Sequence, residues 1–448
     1  MGLADYIKSQ LPYWPNWITY PLMKINIFGG LCYGRAYMSF EKELKKKSSN
    51  DRLLEIVNYA IKNVPYYRKR YGSIQIHTIS EFEEKIGYID KNEVMAHWNE
   101  FIADGADLTK CNQGTTGGTS GKPLKLMTPK NRYVQSMYFW HRQLKRFGWN
   151  YDVVALIRNH KLPEKKSFLI NPVMRQIIFD GFRNNDDYYR VIWKTLKRFN
   201  VHYLHCYPSA AYAFLKFCHR QNLDTSMIKA CFLTSEAITD NQLYFIKNVL
   251  GISVLGSYGH SEKLCQAGTC PDKFLYHIDE EYGYTELLGS DGCVIKEKEK
   301  LGEIVGTTFY NKYFPLIRYR TGDYSSYSKS LCEKHNDMRF LNPIQGRWDK
   351  AQIIRIDGTM TSITALNLHS DIYERISGLQ YVQDRKGYIT VLIIKDEDYK
   401  PSDHKYMVDY LSSVMGGAEY VEIRYVSELI YQSNGKFLPL ISKLDQNA

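Results

Sequence analysis

The spacing of apolar positions changes several times along the chain. Residues 50–71 repeat apolar side chains at helical intervals ("DRLLEIVNYAIKNVPYY"), which predicts an amphipathic helix ending near Pro65. From residue 151 the pattern becomes one of short β-branched runs. Strands are predicted at 151–158, 201–207, 228–233 and 252–257, and helical periodicity lies between them at 187–199, 209–220 and 240–249. Strands alternating with helices of this length indicate a parallel sheet with crossover helices. Ligands of such sheets sit at the carboxyl ends of the strands. Three polar clusters fall there: Tyr207-Pro208-Ser209, Thr234-Ser235-Glu236 and Tyr258-Gly259-His260-Ser261-Glu262. One shared site is therefore expected.

Further along, 284–288 and 303–309 read as strands of a more antiparallel unit, and 318–323 ("RYRTGD") as a turn with a carboxylate at its tip. The pattern shifts once more after "IQGRWDK". Strands at 352–356, 380–383, 388–395 and 421–426 with a helix at 404–415 make a small α+β module of about 100 residues, a common domain size. The boundary is placed at Asp349 or Lys350.

Composition narrows the class. A chain of 448 residues has room for two to four domains with full cores. Its 44% hydrophobic and 24% charged content is ordinary for a globular enzyme. The net charge of +11 suits an anionic ligand, such as a nucleotide or nucleotide-sugar, or a membrane surface. The basic residues are spread among acidic ones, which does not favour nucleic acid. Cys111, Cys206, Cys231 and Cys293 are scattered without zinc-finger spacing, as in a reducing cytosol, and a cytoplasmic location is expected. Residues 17–34 are apolar but hold Pro21, Lys24, Asn26 and a Gly pair, too interrupted for a membrane span. They read first as a packed segment and second as a peripheral contact with a membrane surface or partner. Met1-Gly2 begins like a myristoylation site, but Tyr6 stands where Ser or Thr is wanted.

The run Gly114–Leu124, "GTTGGTSGKPL", invites comparison with the nucleotide P-loop. Counting back from Gly121-Lys122, the first glycine of that motif would fall on Thr116, and its magnesium-holding hydroxyl would fall on Pro123. The run is not a P-loop. "TTGGTSGKPL", "SYGHSE", "YRTGD", "GRWD" and a near-terminal "GK" follow one another in that order. Together they resemble the core motifs of the adenylate-forming superfamily. The stretch from "SYGHSE" through Cys265 and Cys270 to "YGYTELL" is most similar to the phenylacetate–CoA ligase branch, and there to CapK-like proteins of capsular polysaccharide biosynthesis.

The resemblance implies an α/β fold. A large N-terminal domain (1–348), with mixed and parallel sheets and crossover helices, would bind ATP and an acid. A small mobile α+β C-terminal domain (349–448) would carry a catalytic lysine. It also implies a reaction, in which a carboxylate attacks the α-phosphate of ATP to give an acyl-adenylate and pyrophosphate. The acyl group then passes to a thiol or an amine.

Residue by residue, the glycine-rich run would be a phosphate loop, with Thr115, Thr116, Thr119, Ser120 and Lys122 toward the β- and γ-phosphates. Lys122 and Lys125 remain alternatives for its working lysine. Tyr258 would stack on adenine, Ser261 would touch phosphate and Glu262 would hold Mg²⁺. Glu236 would stand near the adenine. Asp323 would accept both ribose hydroxyls, since a carboxylate offers two suitably spaced oxygens. Arg347 would reach the ribose or the phosphates. Lys436 in "SNGKFLPL" would bridge the attacking carboxylate and the α-phosphate, where charge gathers in the transition state. Its arrival needs rotation about a hinge at Asp349 and Lys350. His205, Tyr207, Ser209 and His260 would line the acyl pocket. Cys265, Cys270 and His277 are similar to a metal site of some ligases of this branch.

The leading expectation is thus an ATP- and Mg²⁺-dependent enzyme activating a carboxylic or amino acid. The acceptor would be CoA, or an amino group on a sugar intermediate or carrier. Against it stand a non-catalytic nucleotide-binding homologue, which intact Glu262, Asp323 and Lys436 disfavour, and a nucleic-acid binder, which rests on charge alone.

Overall fold

The computed structural model describes residues 10–24, 33–115, 124–158, 160–183, 185–236, 238, 240–332, 339–344, 352–366, 368, 372, 375–415, 420–430 and 440–444. The N-terminal part is helical. Helix Ser49–Asn63 begins at a capping box between Ser48 and Asp51, and Pro65 then opens a second helix, Pro65–Tyr71. The first helix stops beside Pro65, where the periodicity ends it, and Pro at the first helical position then starts the next one. Helix Asn16–Lys24 carries Pro21 inside and leaves Trp17 77% exposed. No helix among the described residues is long and apolar enough to cross a membrane.

The strands, in chain order, begin with a hairpin, β1 (Cys111–Thr115) and β2 (Lys125–Pro129). Next come β3 (Val154–Arg158), β4 (Leu169–Asn171), β5 (Gln176–Asp180), β6 (Tyr203–Cys206), β7 (Ala230–Thr234) and β8 (Ser253–Gly259). Then follow β9 (Gln266–Gly268), β10 (Tyr276–Ile278), β11 (Gly283–Leu288), β12 (Gly302–Thr308), β13 (Tyr319–Ser325) and β14 (Phe340–Leu341).

A nine-stranded sheet has the order β14-β10-β9-β8-β7-β6-β3-β5-β4. Its centre, from β5 through β3, β6 and β7 to β8, is parallel, and both flanks are antiparallel. The central strands are buried almost end to end, as in Val154–Ile157 and Ala230–Leu233. That is the mark of a sheet covered on both faces. Helices Asp186–Phe199 and Pro208–Arg220 supply part of the cover. β4, β5, β9 and β10 were not foreseen, being three to five residues long and too short to show a period.

β11, β12 and β13 form a separate antiparallel sheet. The "RYRTGD" stretch expected as a turn is strand β13. Its pairing with β12 slips between Glu303 and Val305, and Gly322 adopts φ 74° inside the slip. The irregularity re-aims Asp323, as bulges do beside active sites.

The last segment contains β15 (Gln352–Ile354), β16 (Met360–Ser362), β17 (Ile376–Gln383), β18 (Tyr388–Lys395), β19 (Tyr420–Tyr425) and β20 (Leu440–Ser442). The order β19-β18-β17-β20 makes a four-stranded sheet, packed by helix Pro401–Val414. Its apolar cluster is built from residues 353–440 with Phe182 added from the larger part. Arg375 clasps Asp403 at the start of that helix through two 2.8 Å hydrogen bonds.

Candidate active site

The parallel strands stop in register, so their carboxyl ends form one edge. Cys206 pairs with Leu233, and Thr234 with Ser257. At about 4.8 Å per strand, the ends of β6 and β8 lie roughly 10 Å apart. The three polar clusters read from the sequence are therefore neighbours.

On β8, Tyr258 donates its hydroxyl to Asp323 Oδ2 at 3.0 Å. This contact joins the "SYGHSE" and "YRTGD" motifs, which are 65 residues apart. Burial, and then Asp323 beside it, push the Tyr258 phenol well above its usual pKa, so it stays a donor. Asp323 also receives a structural setting from the slip in β13. Its N–H donates to Thr321 Oγ1 at 3.1 Å, Thr321 Oγ1 donates to the Ile304 carbonyl at 2.7 Å, and Gly322 N–H donates to Glu303 at 2.9 Å.

The strand is anchored by Arg318. Both Arg318 and Glu286 are 2% exposed and pair at 2.8 Å. The guanidinium also donates to the carbonyls of Glu83 and Ile86 and to the Tyr88 hydroxyl. A buried charge is tolerable only with such full pairing. Residues of the N-terminal hundred, to which no site role was assigned from the sequence, thus hold the segment that presents Asp323.

Beyond β8, Glu262 faces His260, whose Nδ1 lies 3.2 Å from Glu262 Oε2, and Tyr319, whose hydroxyl lies 3.4 Å from Oε1. Burial would raise the Glu262 carboxyl, but His260 and then Lys91 outweigh it and hold the group below its usual range. Glu262 is an anion at neutral pH. For His260, burial opposes the charge, yet Cys265 and Glu262 carry its pKa up to about 10. The main-chain N–H of Cys265 points at Nε2 at 3.3 Å, which fits a ring bare at that atom, and Nδ1 meets Glu262 at ion-pair distance without hydrogen-bond alignment. Protonating Nε2 would displace the Cys265 N–H, so the charge on Glu262 is the firmer of the two. Ser261 beside them is exposed.

Thr115, near the start of the glycine-rich run, ends β1 opposite Lys125, the first residue of β2. Leu124 and Leu126 at the start of β2 share an apolar cluster with Leu264, Cys265 and Tyr319, which ties the hairpin to the residues around Glu262. Lys125, one of the two alternatives for the loop's lysine, lies 5.3 Å from the Trp98 ring centre. Thr116, Thr119, Ser120 and Lys122 lie outside the described residues, as do Arg347, Asp349, Lys350 and Lys436.

Of the residues expected in the acyl pocket, His205 and Tyr207 come together at the end of β6. Ser209 opens helix Pro208–Arg220, and its side chain is outside the described set. His260 turns to Glu262. Sequence reasoning passed over Arg158, at the end of β3. Its guanidinium donates to His205 Nε2 at 3.0 Å and to Ser235 Oγ at 2.8 Å, and lies 5.1 Å from the Tyr207 ring centre. The available signal was its place at the end of a predicted strand. Glu236 follows Ser235, a residue with φ 70°, and is half-buried.

The metal reading is redrawn. Cys265 Sγ faces the Val305 carbonyl, and Cys332 takes the place expected of it. Cys270, His277 and Cys332 are all buried, with donor atoms within 4.8 Å of one another. Two thiols and an imidazole suit zinc, and they are three of the four ligands a structural zinc takes. Cys332 lies 55 residues beyond His277 along the chain, and the fold brings the two together.

Comparison with known proteins supplies context for this geometry. Residues 354–443 match the CapK C-terminal domain family. Protein CapK of Staphylococcus aureus is 21% identical over 97% of this chain and 98% of its own length. The phenylacetate-coenzyme A ligase of Thermus thermophilus is 24% identical over 80% of this chain and 83% of its own. Among solved structures, 2-hydroxyisobutyryl-CoA ligase in complex with 2-HIB-AMP and CoA superimposes with a TM-score of 0.57 at 14% identity, covering 89% of each chain. The same ligase with R3-HIB-AMP gives 0.54 over the same coverage. The fold is that of the adenylate-forming ligases. Within that class the chain resembles phenylacetate–CoA ligases and protein CapK, and its C-terminal segment matches the CapK C-terminal domain.

Proposed function

We propose that the protein is an adenylate-forming ligase that activates a carboxylic acid with ATP and passes the acyl group to the thiol of CoA. The observation that carries this reading is the Tyr258–Asp323 hydrogen bond beside an ionised Glu262, at the carboxyl edge of the parallel strands of this fold. Its similarity to phenylacetate-coenzyme A ligases supports the acceptor.

In this reading Asp323 accepts the ribose hydroxyls and is held in place by Tyr258, whose ring lies against adenine. Thr115, Thr116, Thr119, Ser120, Lys122 and Ser261 hold the β- and γ-phosphates. Glu236 and Arg347 complete the nucleoside side. The acid carboxylate attacks the α-phosphorus, the bond to the β-phosphate oxygen breaks, and pyrophosphate leaves. Lys436 offsets the charge gathered on the transferring phosphate and the incoming carboxylate. Thiol attack on the acyl carbon then releases AMP.

A single buried, ionised carboxylate fits Mg²⁺, which binds through one or two carboxylates and substrate phosphates. Glu262 would hold it, and the ion when bound would neutralise phosphate charge. Cys270, His277 and Cys332 would hold a zinc of structural role, tying β10 to the segment at residue 332. The chain divides into 1–348 and 349–448, with Asp349 and Lys350 as hinge. The separate apolar cluster of the last hundred residues supports that division.

A second reading gives the acyl group to an amine in surface polysaccharide synthesis. Likeness to protein CapK along nearly the whole chain favours it. ATP–pyrophosphate exchange with a panel of acids tests the first half-reaction. Trapping with CoA against amino sugars separates the acceptors. ATP binding with no exchange for any acid would leave only a nucleotide-binding homologue.

A further inference from the structure

Arg158 is the charged group at the strand-end edge that the reading above leaves without a task. It stands at the end of β3, where the parallel strands open toward the site. Its position is fixed by the main chain. Gly181 passes so close that a Cβ there would lie 1.5 Å from the Arg158 carbonyl oxygen. Among the described residues the guanidinium is held by neutral partners: His205 Nε2, Ser235 Oγ and the face of Tyr207. Burial, then Arg158 and His160, hold the His205 ring well below its usual pKa, and the ring packs at a tilt against Trp140 with centroids 4.9 Å apart. His160 is likewise held down by burial and by Arg158.

The carboxylate across the strand pair, Asp180, is committed elsewhere. It accepts from the N–H groups of Leu162 and Phe182 at 3.0 Å each and pairs with Arg183 at 3.2 Å. Among the described residues no carboxylate pairs with Arg158, and its Nε is buried without a hydrogen-bond partner. An arginine fixed by neutral groups and lacking a counter-ion is organised to receive an oxyanion, which it matches with parallel donors.

We propose that Arg158 is the specificity-determining residue of the acid pocket and that the acid carries a second oxyanion, as a short dicarboxylic acid does. This rests on the adenylation reading. One carboxylate of the acid meets Arg158 while the other is left for the α-phosphate. The same charge works against a free amino acid whose ammonium would lie beside it, and against an aromatic monoacid that would leave the cation unpaired.

The test measures pyrophosphate exchange with succinate and glutarate against butyrate and valerate, in the full chain and in Arg158→Gln. A hydrogen bond to a charged group implies a preference for diacids of about 10- to 100-fold in kcat/KM. Arg158→Gln is expected to lower diacid values at least about tenfold more than monoacid values, with Arg158→Lys intermediate. A preference for monoacids, or an equal loss for both classes, overturns the proposal. Direct binding of the same acids by calorimetry separates it from the adenylation reading. Diacid binding lost in Arg158→Gln, with no exchange for any acid, upholds the subsite and refutes the reaction. Absence of Arg158-dependent diacid binding, with or without exchange, refutes the subsite.

Discussion

Tyr258→Phe is the most discriminating perturbation of the proposed nucleotide site. It removes one hydroxyl and leaves the ring, its place at the margin of the core and its face for a base. What disappears is a 3.0 Å hydrogen bond to the Asp323 carboxylate. Bonds to charged groups contribute about 1.5–3 kcal/mol, and the half-exposed edge argues for the lower end. That corresponds to about tenfold weaker ATP binding. The bond acts on bound nucleotide in ground and transition states alike, so KM for ATP should rise about tenfold with kcat little changed. The assay is pyrophosphate exchange at varied ATP, with thermal denaturation beside it to show the fold intact. Asp323→Asn and the double variant complete a cycle, with a coupling of about 1 kcal/mol or more expected for touching groups. Additive effects, or an unchanged KM in Tyr258→Phe, would show that the tyrosine does not position the carboxylate.

Lys436→Ala should lower exchange by about 10²–10³ while leaving ATP binding nearly intact. Loss of binding and exchange in equal measure would contradict its role. Arg318→Met strands Glu286 in the interior and should cost about 3–5 kcal/mol in urea denaturation; adding Glu286→Leu should recover much of it, and a silent single variant would sink the anchor argument. The purified chain should carry about one zinc, and chelation should lower its Tm, as should Cys332→Ser but not Cys265→Ser. His141 Nδ1 and the Tyr37 hydroxyl share a 2.7 Å hydrogen bond, and burial, then Lys145, hold the His141 pKa near 3. Unfolding lets it bind a proton, so stability should fall from about pH 6.5 downward with a limiting slope of about 1.4 kcal/mol per pH unit. His141→Gln should flatten that part of the curve, and an unchanged curve would refute the assignment.

The central strands and their crossover helices were legible because burial on both faces leaves long apolar runs between turn residues. The order of the motifs singled out Tyr258, Glu262 and Asp323, and the structure brings them together through Tyr258–Asp323 and Tyr319–Glu262 contacts. Strand β13 was misread as a turn. Thr321-Gly322-Asp323 looks like a turn locally, and only pairing with β12 makes it a slipped strand.

The sequence alone determined that a parallel sheet with polar strand ends would be built here, because periodicity and turn chemistry are local properties. Only the tertiary structure decided that Tyr258 holds Asp323, that Cys332 rather than Cys265 joins Cys270 and His277, and that no carboxylate among the described residues pairs with Arg158 at the edge. These are relations between residues tens of positions apart. They depend on strand order and register, which no local window of the chain contains.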